Sequence, residues 1–142
     1  MLNELPVGEF LAALGERTPT PASGAATALT GALAAALAEL AARFAEDEDA
    51  VVRAKALVTR LVELADEDAV AYTAFMAGAT DETRARIIAV PDEIASRAEE
   101  VAVLAERVRG QLREAVAADA EAAVVLARSA AKVARRLAEV NA

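Results

Sequence analysis

The chain contains no histidine and no cysteine. Acid–base or nucleophilic chemistry therefore falls to Asp, Glu, Lys, the single Tyr72 or bound water. Among the carboxylates, Asp68 is the most informative. It falls on the stripe Leu57, Leu61, Leu64, Asp68, Tyr72 and Phe75, whose three- and four-residue spacing marks one packed face of a helix. A carboxylate on such a face needs a partner or a shifted pKa. It is either a general acid or base in a cleft, or a structural carboxylate paired with Arg or a helix end. The spacing alone favours the structural role. Asp66 lies off the stripe, where a solvated helix face is expected.

The second candidate is the segment Thr18 to Gly24, with Pro19 and Pro21 at alternate positions. Each proline restricts itself and its predecessor, so the segment should be extended, with Ser23 or Thr20 capping the helix that follows. A turn entering a helix presents free N–H groups and the positive end of a dipole, a ready site for an anion. Pro21, Ala22, Ser23 and Gly24 are the candidate binding residues. A plain connection that caps a helix accounts for the same residues. Arg43 on the helix that follows is a candidate cation, but it stands four residues after Glu39, the spacing of a surface ion pair.

The elements that must position these residues are helices. Leu2 to Leu14 reads as the first, with Gly15 as its stop. Ala25 to about Ala45 is apolar nearly all round and should be the central helix. After the acidic turn 46–49, where Asp47 or Asp49 can cap, a third helix runs from Ala50 to about Ala77. Asp81 opens another helical stretch, which Pro91 should break or restart as a first-turn residue. The fourth long helix then runs toward Arg109, and Gly110 is a weak boundary. The last spans Asp119 to Val140, with Ala123, Leu126, Ala130, Val133 and Leu137 expected inward. The expected architecture is all-α: one domain over residues 1–142, an up-and-down bundle of about five long helices with Ala-rich packing. The long apolar central helix suggests a homodimer.

Composition narrows the function. The 142 residues are 56% hydrophobic but only 3% aromatic, so the core must be built from Ala, Leu and Val. A net charge of −8 argues against a general nucleic-acid surface. Without Cys or His there is no disulfide framework, zinc-thiolate site or imidazole-ligated metal, and no metal site is expected. The N-terminus is acidic and lacks a basic signal region, and the Ala-rich stretch 25–38 is too short and too weakly apolar to span a bilayer. The expected location is the cytoplasm, with no membrane partner.

Four segments, in order, carry a resemblance. They are Thr18-Pro-Thr-Pro-Ala-Ser-Gly24 entering an Ala-rich helix, Asp66-Glu-Asp-Ala-Val-Ala-Tyr72, Val90-Pro91, and the end Ala118-Asp119 through Val140-Asn141. Together they resemble the formiminotetrahydrofolate cyclodeaminase/methenyltetrahydrofolate cyclohydrolase family over nearly the whole chain. The turn at 22–25 carries less glycine than the family pattern, Leu137 stands where the family often has Asn, and the chain is shorter before Val90. The resemblance implies a helical homodimer in folate one-carbon metabolism, acting on a tetrahydrofolate-type small molecule without metal or redox cofactor. It implies Asp68, with Asp66 second, as the carboxylate beside a cationic amidine, and the turn at 22–24 as the holder of the pterin or glutamate tail. A folate-binding or structural dimer that keeps the scaffold without catalysis is the alternative.

Overall fold

The computed structural model describes all 142 residues. Four long helices, α2 (Ser23–Phe44), α3 (Glu48–Ala77), α4 (Asp81–Arg109) and α5 (Ala118–Asn141), follow a nine-residue α1 (Val7–Gly15). Short connections between α2, α3 and α4 make neighbours antiparallel. The long helices form an up-and-down bundle in which α2 and α4 meet across the diagonal, while α3 and α5 scarcely touch.

That flattened shape follows from side-chain size. The largest fully buried side chains are Leu57, Leu61 and Leu64 on α3, and Pro91, Ile94, Val101 and Val108 on α4. The buried faces of α2 and α5 are almost entirely alanine. Small faces pack against large ones, which fills the core without aromatic residues. Gly31 of α2 sits over Leu61, where a Cβ would come within 3.3 Å of its methyl groups. By length and composition α2 is apolar enough to cross a membrane, but its buried positions make it the central helix of the bundle.

Several local expectations need revision. The first helix is split: Leu2–Glu4 is a 3-10 turn, and Pro6, which has no N–H to donate, separates it from α1. The bundle has the five α-helices expected, of which α1 is short and outer. On α5, Leu126 and Val133 are 37% and 43% exposed, because the alanines at 120, 123, 127, 130, 134 and 138 take the inner face. There α5 meets α4 alanine on alanine, as at Ala98 with Ala130 and Ala131, and Val124 is the one larger side chain that α5 buries. Pro91 does not break α4, which runs through it.

The helix starts differ in a way that matters for the site. Asp47 caps α3 by accepting from the Ala50 N–H at 3.1 Å. Thr80 and Thr83 form a reciprocal cap on α4. α2 opens at Ala22 with no side-chain cap, as α1 and α5 do at Pro6 and Ala117, and neither Ser23 nor Thr20 takes that role. Between α3 and α4, the Arg60 guanidinium holds Glu93 with two bonds of 2.8 Å and also reaches Glu67 at 2.7 Å. This fork ties α3 to α4 one residue from Asp68 and two residues from Pro91.

Candidate active site

The start of α2, the last third of α3, the first third of α4 and the end of α5 all reach one end of the bundle. There they enclose a cleft of about 210 Å³. The segment entering α2 contributes Pro19, Thr20, Ala22, Ser23 and Gly24; the Thr20–Pro21 peptide within it is cis. The α3 stripe contributes Asp68 and Tyr72, α4 contributes Pro91, and α5 contributes Leu137 and Asn141.

Asp68 is half-buried and has no hydrogen-bond or ion-pair partner in the chain. Burial pushes its pKa above the ordinary value of 3.8, because the neutral form loses less on leaving water. Its carboxylate lies directly against Gly24. A Cβ on that residue would overlap the carboxyl carbon and both oxygens. The absence of a side chain at Gly24 is what gives the carboxyl group room in this position. The uncapped first turn of α2 leaves N–H groups at the same end of the bundle.

The chemistry of this arrangement is that of a protonatable carboxyl group in a small, half-dry cleft. No Lys or Arg lines it, so nothing in the chain neutralises Asp68 when it ionises. A ligand cation is the natural partner for that charge, and Ser23, Thr20, Tyr72 and Asn141 offer neutral hydrogen bonds around it.

Of the residues singled out from the sequence, Asp68, Ala22, Ser23 and Gly24 meet in this cleft. Pro21 does not line it. Asp66 points elsewhere: its Oδ1 accepts from the Leu2 N–H at 2.8 Å, tying the N-terminal turn to α3. Two residues along a helix turn the side chain to the far side, which separates the two aspartates. Arg43 lies exposed near the opposite end of α2, bonded to Glu39 at 2.8 Å. Sequence reasoning had not placed Asn141 at a site. Its signal is indirect: Pro91 inside a helix leaves the Ile87 carbonyl without its usual donor, and Asn141 Nδ2 donates to that oxygen at 2.7 Å.

With this geometry in view, comparison with known proteins is informative. A family model for formiminotransferase-cyclodeaminase matches residues 6–142. The chain belongs to that family. Among solved structures it is similar to a formiminotetrahydrofolate cyclodeaminase from Thermotoga maritima, with a TM-score of 0.93 and 23% identity. The alignment covers 99% of this chain and 80% of the other. At that identity the likeness establishes a shared fold. No curated protein matches the sequence. The cleft joins the very segments that carry the family resemblance.

Proposed function

We propose that the chain is an enzyme of folate one-carbon metabolism, with a tetrahydrofolate derivative bound in the Asp68 cleft and the cyclodeaminase reaction as its activity. In that reaction N10 of 5-formiminotetrahydrofolate attacks the formimino carbon, giving a tetrahedral centre. The N10 proton passes to the former imine nitrogen, and a second proton lets ammonia depart. The product is the 5,10-methenyl cation.

Asp68 suits both demands. Burial lets it hold a proton at higher pH than a surface aspartate, so it is a fit donor to the departing nitrogen. Once ionised, it faces the new cation with no competing Arg or Lys in the cleft. The unpaired carboxyl group against Gly24 is the single observation that carries this reading. Pockets for drug-sized ligands run to about 300–1,000 Å³, so this smaller cleft suits the reacting ring system, with the glutamate tail outside it.

A second copy of the chain belongs to the reading. Next to α2, the face of α1 forms an apolar groove in which Val7, Leu11 and Leu33 are 74%, 59% and 63% exposed. A homodimer would cover it.

The test is to supply 5-formiminotetrahydrofolate and follow ammonia release and methenyl absorbance. Turnover by the natural sequence, lost in Asp68→Asn, supports cyclodeaminase activity. Hydrolysis of 5,10-methenyltetrahydrofolate instead moves the activity to the cyclohydrolase reaction at the same carboxylate. Folate binding without either turnover leaves a non-catalytic folate binder, and no binding of either compound overturns the reading.

A further inference from the structure

Pro91 lies inside α4 and has no N–H to give the Ile87 carbonyl four residues earlier. The Asn141 amide supplies a donor from α5, at 2.7 Å. A carbonyl oxygen only accepts, so this contact fixes which way the amide points: nitrogen toward Ile87. Asn141 makes no other hydrogen bond within the chain, yet it is half-buried and lines the same cleft as Asp68. Its second amide hydrogen and its Oδ1 are left without protein partners.

We propose that Asn141 is a ligand-binding residue of the cleft, its amide held by the carbonyl that Pro91 releases and its remaining donor and acceptor reading the polar edge of a bound ring. The matching chemistry is an adjacent N–H and C=O, or N–H and ring nitrogen, as in a lactam or an aminated pyrimidine ring. The inference rests on the folate reading above and deepens it, because it names the group that recognises the ring rather than the group that moves protons. Pinning matters for affinity, since an amide already held in place loses little freedom when a ligand arrives.

A purely structural role for Asn141 makes a different prediction, and Pro91 separates the two. In Pro91→Ala, the new N–H can satisfy Ile87 from within the helix, so Asn141 is no longer needed for that purpose. Four proteins are compared: the natural sequence, Pro91→Ala, Asn141→Ala and the double variant. Each is measured by thermal unfolding and by calorimetric titration with tetrahydrofolate. Asn141→Ala alone should lower Tm by about 2–6 °C, the consequence of an unsatisfied carbonyl. It should also weaken tetrahydrofolate binding about tenfold, the loss of one or two neutral hydrogen bonds. In the Pro91→Ala background the Tm loss should largely vanish while the roughly tenfold loss of affinity persists. If the double variant binds as tightly as Pro91→Ala, Asn141 serves the helix alone and the inference is overturned. If the natural sequence binds no reduced folate, the functional reading falls and this inference falls with it.

Discussion

Replacing Gly24 by alanine tests the site through a single methyl group. Gly24 is buried in the first turn of α2 and has a negative φ, so its backbone tolerates alanine. Relative to glycine, alanine favours the helix by about 0.5–1 kcal/mol, with the lower figure apt near a terminus. Against this stands the overlap of the new Cβ with the whole Asp68 carboxyl group. A trapped overlap of this kind would cost about 1–3 kcal/mol. Asp68 is not trapped, because no hydrogen bond or ion pair holds it. Swinging it off its preferred rotamer costs about 0.5–1.5 kcal/mol. The two effects nearly cancel, so Gly24→Ala should leave stability within about 1 kcal/mol of the natural protein.

Activity should respond quite differently. A displaced general acid forfeits about 10²–10⁴ in rate, so Gly24→Ala should fall with Asp68→Asn in a cyclodeaminase assay. Because both changes remove one function, the double variant should be no slower than the slower single variant. Two results would refute this reasoning. One is full activity in a folded Gly24→Ala protein. The other is a destabilisation of several kcal/mol that Asp68→Ala fails to relieve, which would place the overlap somewhere other than at the carboxylate.

The pH dependence of stability carries the sign of the Asp68 shift. The native state holds the Asp68 proton more tightly than the unfolded chain does, so the associated stability is full below the ordinary value of 3.8 and is lost as pH rises through the higher native value. Asp68→Asn should therefore gain on the natural protein across that window and stay ahead at neutral pH, by denaturant titration at several pH values. Glu93, whose pKa is lowered chiefly by its hydrogen bond to Arg60, pulls the other way, and the difference between the two proteins cancels it. Thr80→Ala removes the α4 cap and should cost about 1 kcal/mol, seen as a Tm lower by about 2–4 °C with activity per folded molecule unchanged. Leu33→Glu places a charge in the apolar groove beside α1; sedimentation should report half the mass of the natural protein with the helical signal intact, and an unchanged mass would move the dimer contact elsewhere.

The long helices were legible because their signals are redundant. The Leu57–Leu61–Leu64 stripe repeats over several turns, and all three residues are fully buried. Asp47 at the head of α3 acts through a local rule and appears where expected. What could not be read depends on neighbours. The inner face of α5 is set by its close approach to α4, alanine against alanine at Ala98, Ala130 and Ala131, and a leucine at 126 and a valine at 133 stay partly exposed. Pro91 stays within α4 because a residue fifty positions away bonds the carbonyl it frees. The stripe separates Asp68 from Asp66 in the sequence, but that Asp66 would hold the N-terminal backbone, and Asp68 would face a cleft, depends on distant segments.

Three departures from local rules meet at the cleft. Elsewhere α3 and α4 begin on capping side chains and most cations on the α3 and α4 surfaces are paired with a carboxylate, while at the opposite end α5 starts uncapped and Glu46 takes a positive φ. At the cleft, α2 starts uncapped, a carboxyl group lies unpaired against a glycine, and a proline interrupts the bonding of α4. Each departure at the cleft costs stability. Their meeting around a cleft of about 210 Å³ is what a binding site requires: donors, an acid and an amide left free of the protein's own partners. The rest of the bundle is the rigid frame that keeps them so.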